Sequence, residues 1–172
     1  YKITATLDLL DFNGRLYGDG FLRSVIQMDT DNTTIMKLGR SSASNANSGV
    51  HASDFRLIYT NEQSSSNTSA TGLEVRYMAY SKLTNIDIQK AYIGILCDGT
   101  TYTDNVFFSN VVDTIRVRKC SKNYIRISSG TSTGNTGCVF SNIYCVGERT
   151  DVANATVDIA VLFERMSEMT VN

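Results

Sequence analysis

A short phrase returns along this chain at long, similar intervals. FSNV at Phe108–Val111 recurs as FSNI at Phe140–Ile143, with looser forms at ASDF (Ala52–Phe55) and LTNI (Leu83–Ile86). The Asn or Asp of each phrase is Asp54, Asn85, Asn110 or Asn142, an interval of roughly 25–32 residues that falls within the range of repeat architectures. A second anchor runs beside it, with GLEV from Gly72, GILC from Gly94 and TIRV from Thr114, at a closer interval of roughly 20–22 residues. MTV at Met169–Val171 is the start of a further copy. Self-similarity at such a period marks a chain that stacks one supersecondary unit on the next, because a single unit cannot bury its own apolar face.

The unit is made of strands. TNIDIQ, GLEVR, TIRVRK and NYIRI alternate apolar and polar residues with the two-residue period of a half-buried strand. Proline is absent, so turns fall to Asn, Asp and Gly, and the connections are too polar and interrupted to be crossover helices. The expected fold is all-β: a right-handed, single-stranded parallel β-helix (β-solenoid) with coils of roughly 20–32 residues. It would occupy residues 1–172 as one domain of a longer chain. Strands of successive coils would lie about 4.8 Å apart, so each inward position becomes a column along the axis. The second anchor would stack Leu73, Ile95 and Ile115, then Val75, Cys97 and Val117. The phrase would stack Ile86, Val111 and Ile143. The Asn or Asp suits a corner, since it tolerates left-handed backbone and can bond to neighbouring coils. The Ser/Asn/Gly-rich stretches at 41–49, 61–72 and 128–137 would be insertions at turns. A β-sandwich also alternates strands and turns, but gives no reason for the phrase to recur.

Composition removes several classes of function. A formal net charge of −1 provides neither the basic surface that nucleic acid needs nor a polybasic membrane patch. The longest apolar runs are a handful of residues, so membrane insertion is not expected. Tyr1 is neither an initiator Met nor the start of a signal peptide, which fits an excised piece.

The opening FNGRLYGDGFLRSVIQM, Phe12 to Met28, resembles the first coils of pectate-lyase-like β-helix proteins, where G-x-G is followed by a Ser- or Thr-Val-Ile step. Here these are Gly18, Asp19 and Gly20, then Ser24, Val25 and Ile26. The F-S-N-V and G-I-x-V coils are similar to those of bacteriophage tailspikes and tail fibres. The resemblance covers most of the chain and rests on motifs generic to the fold. It implies a homotrimeric receptor-binding protein on the virion tail, extracellular after release, joined to neighbouring segments of the same fibre and recognising a bacterial surface glycan. Two alternatives accompany it: a polysaccharide depolymerase (glycoside hydrolase or lyase) of the same fold, and a structural spacer in a virion or cell-surface fibre.

The catalytic signals are weak. Glycoside hydrolysis ordinarily uses two carboxylates flanking the scissile bond. The adjacent aspartates and Gly-His-Gly segment of polygalacturonase-like enzymes are missing, since no Asp-Asp pair exists and the one histidine, His51, lies in GVHAS. Pectate lyases carry a calcium-binding aspartate cluster and an Arg motif ending in proline, which this chain lacks. Glu74, Asp87 and Asp98 remain as candidates on outward positions. A surface charge ladder of Arg76, Asp98 and Arg118 in one column is the simpler account of those charges. Tyr77, Tyr80 and Tyr92, with Arg76, are candidates for carbohydrate binding, although tyrosine also suits strands generally. Arg116, Arg118 and Arg126, with Lys119 and Lys122, form a basic strip that fits either a solvated face or an acidic capsule.

No metal or cofactor is expected. Cys97, Cys120, Cys138 and Cys145 show no C-x-x-C spacing and read as small core residues, in keeping with folding in a reducing compartment. Gly18-Asp19-Gly20 reads as a tight corner rather than a phosphate cradle, because no helix follows. The sequons at Asn32, Asn67 and Asn154 are chance matches in a Ser/Thr-rich chain. The chain starts and stops within coils, so neighbouring segments or subunits would cover both ends. Leu96, Phe107 and Val112, placed outward by the anchors, would form the inner face of a trimer.

Overall fold

A computed structural model describes residues 1–42, 47–98, 107–128, 137–147, 160–164 and 169–172. The described residues are all-β, with no helix, and wind into a parallel β-solenoid of about four turns. In chain order the first strands are β1 (Lys2–Ile3), β2 (Leu7–Leu10), β3 (Arg15–Tyr17), β4 (Val25–Met28), β5 (Met36–Gly39) and β6 (Asn47–Ser48). Next come β7 (His51–Tyr59), β8 (Thr71–Arg76), β9 (Met78–Ala79), β10 (Lys82–Gln89) and β11 (Ile93–Asp98). The last are β12 (Phe107–Phe108), β13 (Val111–Arg118), β14 (Asn123–Ser128), β15 (Val139–Val146), β16 (Val161–Glu164) and β17 (Thr170–Val171). They pair in parallel as three sheets. Sheet A runs β1-β4-β7-β10-β13-β15-β17, with β3 also on β7. Sheet B runs β16-β14-β11-β8-β5-β2, and sheet C runs β12-β9-β6.

Sheet A shows which residues repeat. Ala52, Leu83, Val112 and Phe140 stack in one column, and Phe55, Ile86, Ile115 and Ile143 stack beside them. Between these columns lie Asp54, Asn85, Thr114 and Asn142, each left-handed with φ of 67°, 50°, 52° and 51°. One left-handed residue per strand bends every long strand at the same height. The apolar residues on both sides of the bend therefore point into the core.

The two copies of FSN thus occupy different places. FSNI lies across the bend of β15, whereas the residues stacked on it in β13 are VDTI, Val112–Ile115. FSNV leads into that strand: Phe108 is in sheet C, Ser109 makes a left-handed turn with φ of 51°, Asn110 is buried and Val111 begins β13. The Asn110 side chain accepts from the Ser81 N–H (2.9 Å) and donates to the Met78 carbonyl (3.0 Å), fastening its coil to the preceding one. The final start at MTV is present, with Thr170 on Val139 and Val171 on Phe140.

The second anchor is correct for two of its three members. Gly72 and Gly94 stack, but the third position is Tyr124 rather than Thr114. Ile95 therefore pairs with Leu73 and Ile125 in sheet B, while Ile115 belongs to sheet A. Cys97 stacks on Ile127 rather than Val117, and Cys145 continues the column Leu57, Ile88 and Val117. Phe107 and Val112 are core residues, not exposed ones, so neither can contribute to a subunit face; Leu96 alone stays on an outward, half-buried position. Of the three turn-rich stretches, 43–46 and 129–136 lie outside the described residues. The stretch 61–72 is knitted to the previous coil by buried Gln63, whose amide donates to Asp31 (2.7 Å) and accepts from the Asn32 N–H (2.9 Å).

The stacked glycines have a packing cause. A Cβ on Gly94 would lie 2.4 Å from Val117 Cγ1 and 2.4 Å from the Tyr124 carbonyl, and one on Gly72 would lie 2.3 Å from Ile88 Cγ2. Sheet B is pressed onto the Ile88–Val117 column at this height, leaving room for hydrogen only. Gly94→Ala is expected to lower stability by about 1–3 kcal/mol through overpacking, read as a reduced urea midpoint with an unchanged slope.

Candidate functional site

The bend in sheet A also fixes what faces outward. Arg56, Asp87, Arg116 and Tyr144 are register partners on β7, β10, β13 and β15, and Ile58, Gln89, Arg118 and Val146 form the next outward column. Asp87 is the hub. Its carboxylate accepts from Arg56 Nε (2.7 Å), Arg118 Nη2 (2.8 Å) and Gln89 Nε2 (2.8 Å), and it is fully buried beneath these side chains. Arginines from the coils below and above clamp one acid, so three successive coils are tied by charge-assisted bonds.

A loop between β3 and β4 crosses this face. Both strands pair with β7, one on each side of its bend, and residues 18–24 arch over the bend. The Gly18 and Gly20 N–H groups each donate at 2.9 Å, to the carbonyls of Ser53 and Asp54 respectively. A Cβ on Gly18 would lie 2.0 Å from the Asp54 carbonyl oxygen, so glycine is required for this approach. Gly18-Asp19-Gly20 is therefore a docking corner, and it delivers Phe21 onto the sheet. The Arg116 guanidinium lies 4.6 Å from the Phe21 ring centroid and that of Arg56 lies 5.8 Å away. Next to Arg116 the Tyr144 side chain is 54% exposed.

The residues singled out from sequence are dispersed around this platform. Glu74 lies outward on sheet B, nearly buried and paired with Arg76, whereas Asp87 lies on sheet A, so these two carboxylates do not share a face. Asp98 ends β11 on the sheet B face. The ladder expected from Arg76, Asp98 and Arg118 does not form, because Arg118 belongs to sheet A and clamps Asp87. Tyr77 is buried and Tyr92 packs against the core. Tyr80 is exposed and meets Phe108 edge to face at 5.0 Å. The basic strip is divided: Arg116 and Arg118 are on sheet A, Arg126 is on sheet B near Glu164 (3.8 Å), Lys119 pairs with Glu62 (3.4 Å) and Lys122 is half-buried. Phe21, Arg56 and Tyr144 are not singled out by the sequence pattern. Tyr144 and Arg56 stand at the outward position directly after an apolar residue of the bend column, a signal readable once VDTI replaces FSNV in the alignment.

One cavity adjoins the platform and another lies among inward-facing residues. One of about 200 Å³ is lined by Tyr17, His51, Ala52, Ser53, Lys82 and Thr84, on the same outward face. The other, about 530 Å³, lies at the later coils and is lined by apolar residues including Phe140, Ile143, Cys145 and Phe163. Cys97, Cys120 and Cys138 are buried and Cys145 is partly buried; burial pushes the Cys138 and Cys145 thiols up. Among the described residues no group of His, Cys, Asp or Glu could hold a metal ion. The amides of Asn32 and Asn67 are engaged with Ser69 and Gln63, and Asn154 lies outside the described residues.

The fold defines the class as a parallel β-solenoid with a charged, aromatic outer platform. Comparison with protein-family models, curated proteins and solved structures finds no match to this chain.

The bend column is acid-sensitive. Asp113 accepts from Ser141 (2.6 Å), Asn142 (2.9 Å) and Thr114 (3.1 Å), which holds its carboxyl below the usual value of 3.8; bonds from Ser53 and Asn85 do the same for Asp54. Folding lowers these values, so their stabilisation is present above about pH 4 and is lost as pH falls through the folded values. Urea midpoints should therefore decline below about pH 4, with a shallower decline in Asp113→Asn. Asp87→Ala, which leaves Arg56 and Arg118 facing each other over a vacated carboxylate, should cost about 3 kcal/mol at neutral pH, measured the same way.

Proposed function

We propose that this chain is a glycan-recognising β-solenoid segment of a bacteriophage tail protein, binding a bacterial surface polysaccharide along the outer face of sheet A. The observation that carries the reading is the platform itself. Phe21, Arg116 and Tyr144 offer aromatic and hydrogen-bonding surface side by side on strands whose positions are fixed by the coils beneath them. Sugar rings present both apolar faces and hydroxyl edges, and a flat surface with few moving parts binds them at low entropic cost. The phage assignment draws on the likeness of residues 12–28 and the later coils to tailspikes and tail fibres, and with it come the virion location and the homotrimer. Tyr80, exposed at another corner of the coil, is a second aromatic contact on this reading.

A depolymerase reading draws on one placement. Glu74 and Asp98 both face outward on adjacent strands of sheet B, Asp98 lying just beyond the Leu96 that pairs with Glu74. Neighbours of this kind put two carboxylates on one face of the sheet, the placement that glycoside hydrolysis requires. Incubation with capsule or lipopolysaccharide from a panel of bacteria separates the readings. Retention without shortening of the polymer is expected. Shortened oligosaccharides would replace binding by hydrolysis, and the absence of both would leave a spacer. Tyr144→Ala should reduce retention about tenfold, a loss of about 1.4 kcal/mol, with unchanged thermal unfolding.

A further inference from the structure

On the outer face of sheet A the charges are unequally matched. Asp87 is taken up by Arg56, Gln89 and Arg118. Asp113, the carboxylate of β13, is taken up by Ser141, Asn142 and Thr114. Arg116 lies between these two engaged acids. Among the described residues it forms no ion pair and donates no hydrogen bond to a protein group; its contact is with the Phe21 ring. The guanidinium sits over the face of the ring, and half-burial raises the strength of any charge that reaches it. Arg56 approaches the same ring at 5.8 Å, and Lys82 lines the 200 Å³ cavity on the same sheet. A guanidinium placed against a ring, with no carboxylate partner among the described residues, can offer its two-donor fork to a planar two-oxygen anion.

We propose that Arg116, stacked on Phe21 beside the exposed ring of Tyr144, is a carboxylate-recognition site that makes this chain selective for acidic polysaccharide. Here a uronate-type carboxylate bonds to the Arg116 fork while its sugar ring lies on Tyr144. This deepens the glycan-binding reading and rests on it. Phe21 is the positioning residue: it lies against the guanidinium and makes no charged contact with the sugar. The assignment differs from the basic strip expected from sequence, because Arg118 is consumed by Asp87 and Arg126 lies on another sheet.

The test uses the full-length protein and capsular polysaccharides immobilised in pairs, each native and after chemical reduction of its carboxyl groups to alcohols. Retention on native acidic polymers is expected to fall at least tenfold on carboxyl reduction. Arg116→Gln should lose as much, and Arg116→Lys, which keeps the charge without the fork, should lose less. Phe21→Leu should weaken binding of the native polymer more than binding of the reduced one, because it loses both its ring surface and its hold on Arg116. Lys2→Gln removes the same charge from an exposed site and should change nothing, which separates recognition at Arg116 from loss of net charge. Unchanged unfolding curves for Arg116→Gln establish that the fold is intact. Equal retention of native and reduced polymers, or full binding by Arg116→Gln, would overturn the carboxylate site while leaving glycan recognition standing. Absence of retention throughout the panel would overturn both.

Discussion

Every part of this fold depends on parallel strands being held in register from one coil to the next. A coil has no core of its own; its apolar residues are buried only by lying on the equivalent residues above and below. The left-handed residues Asp54, Asn85, Thr114 and Asn142 enforce that equivalence, since each bends its strand at the same height and allows residues on both sides of the bend to face inward. A strand that slipped by one position would turn Phe55, Ile86 or Ile115 to solvent and set its bend against a straight neighbour. The hydrogen bonds of the bend column reinforce this. Asn85 donates to Asp54 at 2.7 Å and Asn142 to Asp113 at 2.9 Å, so side chains as well as backbone fasten each coil to the next.

The same register builds the outer face. Because every strand of sheet A is bent identically, residues one past the inward position fall in a straight outward line, and Arg56, Asp87, Arg116 and Tyr144 come together from segments a full coil apart in sequence. Charge then sorts them. One buried acid satisfies two arginines in alternate coils, leaving Arg116, on the same strand as Arg118, to an aromatic ring. A platform made in this way has little freedom to rearrange, since moving any member would disturb the column beneath it.

Much of the architecture was legible in the sequence, and the errors have identifiable physical causes. Strand type, parallel stacking and the absence of helix among the described residues followed from two-residue alternation, missing proline and recurrence. The misplaced copy arose because FSNV shares letters with FSNI, while the true equivalent, VDTI, shares only its physics: apolar, polar, left-handed, apolar. A threonine with positive φ is rare for a β-branched side chain, so Thr114 gave no warning of a corner. That misregister moved Val112 and Phe107 to the surface; the alignment of Thr114 with Gly72 and Gly94 in the second anchor put Arg118 in the wrong column. Gly72 and Gly94 were found because close packing of one sheet on the other excludes any side chain there, a constraint that shows as identity. The site was less legible. Tyr144 and Arg56 carry no local motif, and Phe21 reaches Arg56 and Arg116 from a loop whose partner strand lies in the following coil.

The loop at residues 18–24 is held to the solenoid by main-chain bonds from Gly18 and Gly20 to the bend of β7, and its tip residues take no part in that attachment. Framework and tip are in this sense separable. Replacement of Phe21, Leu22 or Arg23 would change what the surface presents without altering a single coil, much as hypervariable tips are exchanged on an unchanging sheet scaffold. Ligand preference in such a protein can therefore diverge at three neighbouring codons while the winding of the chain stays constant.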